Sequence, residues 1–180
     1  MADVNEEIVI QYIKLVKQWL YVSDIPFRVP KNYSNIDILA YDPKDKKYYD
    51  IEVKYRSAFT IPATNRNGRN VSKKSVLPYT KQFVKYSTRN KAMKNFCHNK
   101  KPIKLLVTTQ KMFGKSEKKR KQIESAFKSA LKKRGYHHSQ VWYFDDIIPT
   151  LYKTVSKEGR HNTELLQTIR MIKVYIDKDS

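Results

Sequence analysis

Asn35-Ile36-Asp37-Ile38-Leu39-Ala40 is followed by Tyr41-Asp42-Pro43-Lys44-Asp45-Lys46-Lys47 and then by Tyr48-Tyr49-Asp50-Ile51-Glu52-Val53-Lys54-Tyr55-Arg56. Two β-type runs flank a turn rich in Pro, Asp and Lys, which reads as a hairpin. Side chains alternate across a strand with period two, so Ile51, Val53 and Tyr55 share one face and Asp50, Glu52, Lys54 and Arg56 the other. An antiparallel partner strand brings Asp37 beside Glu52. Two carboxylates and an ammonium then converge on one small area.

That constellation suits metal-assisted phosphodiester chemistry. Paired carboxylates hold Mg²⁺ through oxygen ligands and leave its other positions to water and phosphate. The ion polarises the phosphate and acidifies a bound water. The Val53 carbonyl adjoins the pair, and Lys54 is placed to orient the water or stabilise transition-state charge. The competing reading is a half-buried strand whose solvent face carries mixed charges. Glu-x-Lys alone does not separate the two; an Asp embedded in an apolar strand just upstream favours the site.

Asp37 followed by Glu52-Val53-Lys54 resembles the PD-(D/E)xK nuclease superfamily, which includes Holliday-junction resolvases and RecB-type nucleases; here Ile36 stands where the namesake motif has Pro. The resemblance implies an α/β restriction-endonuclease-like mixed sheet in the order α-β-β-β-α-β-α-β, with extra C-terminal helices. It implies Mg²⁺ as cofactor, with Mn²⁺ able to substitute, and endonuclease rather than exonuclease action. Several such families carry a further acidic ligand on the first helix. By helical geometry Glu6 lies at the edge of the apolar face and Glu7 nearly opposite its centre, so Glu6 is the candidate. The alternative is that Glu6 only caps the helix and complements its dipole. Gln82 and Tyr86, four apart on the helix after Glu-x-Lys, resemble the Gln-x-x-x-Tyr pair of RecB-type nucleases, which makes Gln82 a catalytic candidate.

The 180 residues carry 37 Lys and Arg against 17 Asp and Glu, a net charge of +20. Residues 53–116 contain sixteen Lys and Arg and no acid, where an even spread would put about six acids. Such a segment suits a polyanion, DNA rather than RNA in this reading. The nucleic-acid-contact candidates are Arg56, Arg66, Arg69, Lys73, Lys74, Lys81 and Lys85, most of them in a basic insertion at 57–77 that lacks clear periodicity. No apolar run approaches membrane-spanning length, no secretory leader is visible, and Cys97 stands alone. The expectation is a cytoplasmic protein.

In chain order, Asp3 caps a first helix with an apolar face through Val9, Tyr12, Ile13, Val16 and Leu20. Residues 21–30 read as an irregular edge strand with Pro26 inside it, and the hairpin follows. Pro78 opens a helix over 79–96. Residues 102–109 read as a buried strand, and a helix capped by Ser116 and ended by Gly135 carries Ile123, Ala126, Phe127, Ala130 and Leu131 inward. Residues 140–144 form a last strand, parallel to the previous one. Helices over 147–155 and 163–176 complete the chain, the second with an apolar stripe that docks on the sheet or serves a homodimer. Residues 1–145 thus form the core and 146–180 a helical appendage. His137, His138 and His161 have no zinc-ligand spacing and read as surface or phosphate-contact residues. The rival function is a nuclease-fold nucleic-acid-binding protein without turnover of its own.

Overall fold

The structure, a computed structural model, describes residues 3–55, 79–81, 83–114, 116–156 and 163–175. It is a mixed α/β arrangement: helix α1 (Val4–Tyr12), strands β1 (Leu20–Val29), β2 (Asn32–Asp42) and β3 (Lys47–Val53), helix α2 (Ser87–Lys94), strand β4 (Ile103–Thr108), helices α3 (Gln110–Phe113) and α4 (Glu117–Lys132), strand β5 (Ser139–Tyr143), and helices α5 (Phe144–Thr154) and α6 (Glu164–Tyr175). The five strands form one sheet in sequential order, β1-β2-β3-β4-β5. β1, β2 and β3 pair antiparallel; β3, β4 and β5 pair parallel. β3 is therefore the strand at which the sheet changes character.

Period-two alternation, interrupted on β2 between Ile36 and Ile38, sorts the sheet into two apolar faces. Ile38, Ala40, Ile51, Val53, Leu105 and Val107 pack under Val9, Ile10 and Ile13 from the first helix and Phe144 and Ile147 from α5. On the other face, Leu106 meets Phe83, Phe113 and the α4 stripe Ile123, Phe127 and Leu131. Met93 and Cys97 close over Ile25, Phe27, Ile36 and Leu39. Each fully buried Leu, Ile or Phe here contributes about 1.5–3 kcal/mol of transfer free energy. Leu166 and Ile169 of α6 join Leu151, Val155 and Ile8, which seats the last helix against α5 and α1.

Three sequence expectations are corrected. The first helix does not run to Leu20: it passes through one π-helical turn, Ile13–Lys17, and ends at Gln18, whose φ is 58°. Leu20 opens β1 as an exposed residue, while Trp19 turns back to stack on Tyr49 at 4.3 Å. The helix expected over 79–96 is broken. Residues 79–81 and 83–84 are helical, Tyr86 is extended (φ −120°, ψ 121°), and α2 starts afresh at Ser87. The break redirects the second segment so that Arg89 and Met93 point inward. Finally, β5 ends one residue early, because Phe144 starts α5. Among the described residues, no helix is long and apolar enough to cross a membrane.

Candidate active site

The β2–β3 ladder pairs Ile38 with Ile51; one antiparallel step further, Asp37 faces Glu52. On the other side the β1–β2 register runs from Ser23↔Ile38 to Ile25↔Ile36 and skips Asp24 and Asp37, the step between them. Asp24 has φ 55°, a left-handed conformation uncommon for a non-glycine residue. Asp37 thus sits where regular pairing lapses. Its Oδ2 accepts a hydrogen bond from the Val53 backbone N–H at 2.7 Å, which ties the carboxylate to the end of β3.

Lys54 follows immediately and is anchored by β4: its N–H donates to the Val107 carbonyl at 2.9 Å, and its own carbonyl accepts from Thr108 Oγ1 at 2.9 Å. From that fixed backbone the Lys54 Nζ reaches Glu52 Oε1 at 2.7 Å and Asp37 Oδ2 at 3.5 Å. Glu52 is nearly buried, Asp37 slightly less so, and Lys54 is 30% exposed. The cluster therefore opens to solvent on the lysine side.

Behind Glu52 lies a second layer of charge. Arg89 Nη2 stands 3.0 Å from Glu52 Oε2 and donates to Asp50 Oδ1 at 2.6 Å, with Arg89 Nε donating to Asp50 Oδ2 at 3.3 Å. Lys104, opposite Asp50 in the parallel ladder, donates from Nζ to Asp50 Oδ2 at 2.6 Å. Burial favours the neutral acid at Asp50, but Lys104 and then Arg89 outweigh it and hold the carboxyl below its ordinary range. Burial also opposes the charge on Arg89, yet Asp50, followed by Glu52, keeps the guanidinium firmly protonated.

Asp37 behaves differently. Burial, reinforced by the Glu52 charge, pushes its carboxyl up to about 7, with Lys54 and the Val53 N–H pulling the other way. Lys54 is raised above its ordinary value: burial disfavours its charge, but Glu52 and Asp37 more than compensate. Glu6 is raised by partial burial, then by Asp24 and Asp3, and it feels Lys54 as an opposing charge. Glu6 therefore belongs to the electrostatic neighbourhood of the cluster, whereas Glu7 accepts a hydrogen bond from Gln11 Nε2 at 2.6 Å. Asp3 caps α1 through the Asn5 N–H.

Among the described residues no three His, Cys, Asp or Glu side chains are gathered closely enough to hold a metal ion. An Mg²⁺-type ion does not require such a cage, since one or two carboxylates with retained waters suffice. The donor set fits that chemistry: Asp37 and Glu52 are hard oxygen donors that meet at Lys54, on the side where the cluster opens to solvent.

The expected trio Asp37, Glu52 and Lys54 is brought together, with Val53 beside it. Gln82 and the basic candidates Arg56, Arg66, Arg69, Lys73 and Lys74 lie outside the described residues. Tyr86 sits in the helix break with extended backbone. Lys81 is exposed, and Lys85 Nζ lies 4.7 Å from the Tyr86 ring centroid. Sequence reading missed the roles of Asp24, Asp50, Arg89, Lys104 and Thr108. Lys104 had a signal: a charge inside Ile103-Lys104-Leu105-Leu106-Val107 demands a buried partner. Comparison with family models, curated proteins and solved structures returned no significant match.

Proposed function

We propose that this chain is a divalent-metal-dependent nuclease with a restriction-endonuclease-like core, cutting phosphodiester bonds within DNA. The observation that carries the reading is the convergence of Asp37 and Glu52, from adjacent antiparallel strands, on the Lys54 ammonium. The order helix, three antiparallel strands, helices, then two parallel strands with helices between supports the fold assignment.

Asp37 and Glu52 would hold Mg²⁺ or Mn²⁺, with the Val53 carbonyl as a further oxygen donor. Bound there, the ion supplies Lewis-acid polarisation of phosphate and a water of lowered pKa. The Val53 N–H keeps the Asp37 carboxylate aimed. Arg89 restrains Glu52 from behind. Lys54, the most exposed of the trio, faces the incoming phosphate and neutralises charge developing on its oxygens. The rival, binding without turnover, draws on one feature: Lys54 already bridges both carboxylates, so the pair is partly neutralised without a metal.

The test is incubation with labelled linear duplex, circular, single-stranded, flapped and four-way DNA and with RNA, in Mg²⁺, Mn²⁺ or EDTA. Cleavage that includes circular DNA, requires the metal, and disappears in Asp37→Ala, Glu52→Ala and Lys54→Ala is the expected result. Turnover retained by purified Glu52→Ala protein would sink the assignment. Binding with no divalent-metal effect would select the rival.

A further inference from the structure

We infer that the end of the sheet opposite the carboxylates carries a second nucleic-acid contact, a basic trough that grips phosphodiester backbone. The inference rests on nucleic acid as partner in the reading above, but not on cleavage.

The three parallel strands begin at this end, at Lys47, Ile103 and Ser139. Around their starts lies a cleft of about 490 Å³ whose lining includes Lys46, Lys47, Lys100, Lys101, His137 and His138. An adjoining cleft of about 310 Å³ shares Lys100 and Lys101 and extends past Lys94 to Arg134. The two clefts meet at Lys100 and Lys101, and neither lining contains an Asp or Glu. Two acids adjoin the clefts at Lys47: Asp42, opposite Lys47 in the β2–β3 ladder, and Asp45, which pairs with Lys47 at 3.0 Å with both side chains about half exposed. A pair in that setting is worth little and yields readily to a phosphate.

The trough is built into the backbone as well as charged. Lys46 (φ 55°), His98 (φ 46°), Asn99 (φ 63°) and Gly135 (φ 84°) border or line it, all in the left-handed region. Three of the six non-glycine residues with positive φ among those described are in this group. Such conformations persist only where the surroundings hold them, and they concentrate at binding sites. Here the hold is visible: the Asn99 N–H donates to the Lys94 carbonyl at 3.2 Å and the Lys100 N–H to the Cys97 carbonyl at 2.8 Å. The turn thereby presents Lys100 and Lys101 side by side into both clefts.

β3 spans seven residues from Lys47 to Val53, which separates the trough from Glu52 and Lys54 by roughly 20 Å at about 3.3 Å per residue. One phosphate cannot serve both places. The cations are strung along two clefts and do not converge on a single point, which fits a chain of phosphates better than a compact anion. Contacts of this kind position nucleic acid without reading its sequence.

The experiment measures anisotropy of a labelled duplex in EDTA across a NaCl series. It compares a Lys46→Gln, Lys47→Gln, Lys100→Gln, Lys101→Gln variant with a charge-matched control changed at Lys118, Lys121, Lys128 and Lys132 on α4. The trough variant is expected to lose at least about tenfold in affinity. Its slope of log K against log salt should flatten by about three to four, at about 0.9 per lost phosphate contact. The control should lose less than about threefold. Equal losses in both variants, or no loss in the first, would overturn the trough; so would tripolyphosphate competing as well as duplex does. Binding in EDTA is independent of catalysis, so a failure here is distinct from absence of cleavage.

Discussion

Lys104 stands directly across the parallel β3–β4 ladder from Asp50, and its Nζ lies 2.6 Å from Asp50 Oδ2, with both side chains fully buried. Removing one member of such a pair strands the other, at a cost of about 3–5 kcal/mol. Asp50→Asn, which leaves Lys104 buried without its acid, is therefore expected to lower unfolding free energy by that amount in urea titrations, and Lys104→Met, which leaves Asp50 bonded to Arg89, by less. A double-mutant cycle with Asp50→Asn should give a coupling of about 1–3 kcal/mol. A loss under about 1 kcal/mol would mean that the pair is not a charged, load-sharing contact.

Arg89 shares its guanidinium between Asp50 and Glu52, so the core network and the site are mechanically one. Arg89 is a positioning residue in this account. Arg89→Met is expected to weaken Mg²⁺ affinity, read by calorimetry, by about 10–100-fold, with Arg89→Lys in between. If Arg89→Met unfolds the chain, Arg89→Lys alone decides: unchanged Mg²⁺ affinity at unchanged stability would refute the positioning role.

How much of this was legible beforehand depends on the distance over which each contact acts. Asp37, Glu52 and Lys54 were readable because period two and one turn fix a hairpin's faces within some twenty positions of chain. Asp50 was visible on the same face, but its partners were not: Arg89 lies 39 positions away and Lys104 54. Arg89 was hidden further by the break at Tyr86, where the chain is extended despite an apparently continuous helical pattern. Asp24 was missed for a third reason. Its place, in left-handed backbone at the skipped step of the β1–β2 ladder, follows from strand register, which composition alone does not determine.

Cys97 offers a check on packing that is independent of function. The thiol is 1% exposed and burial pushes it up to about 11. Thiolate is the reactive form, so native protein at pH 8 should react with a thiol reagent far more slowly than unfolded chain. The rate should rise with urea in parallel with unfolding. Fast stoichiometric labelling of native protein would contradict the placement of Cys97 against Met93, Ile25 and Phe27.

Gly114 and Gly135 provide a matched pair in the α4 flanks. Both have positive φ, but a Cβ on Gly114 would meet Lys119 Cβ at 2.9 Å, while one on Gly135 meets nothing within 4 Å. Gly135→Ala carries only the conformational cost of a non-glycine residue in that region, about 1 kcal/mol. Gly114, at φ 130° and ψ 151°, lies in a region essentially restricted to glycine, so Gly114→Ala carries a larger conformational cost and adds overpacking, typically another 1–3 kcal/mol. Thermal melts should rank wild type above Gly135→Ala and Gly135→Ala above Gly114→Ala.

Asp37 links pH, metal and stability in one residue. Its carboxyl titrates near pH 7 in the folded protein, against about 4 in an unfolded chain. Between those values the native state holds a proton that the unfolded chain releases, so this group's contribution is fully present below about pH 4 and is lost as pH rises through about 7. Asp37→Asn keeps an oxygen to accept from the Val53 N–H and removes the titration. The variant should therefore be more stable than wild type at pH 8, and the difference should shrink toward pH 4. Asp50, held low, acts oppositely: its contribution is present above its unfolded value and is lost only in stronger acid. If Mg²⁺ binds Asp37 as proposed it has to displace that proton, so at pH 6 its binding should release about one proton per ion, visible as a buffer-dependent calorimetric enthalpy. At pH 8 Mg²⁺ should raise the melting temperature of wild type but not of Asp37→Asn. An equal shift in both would place the metal away from Asp37.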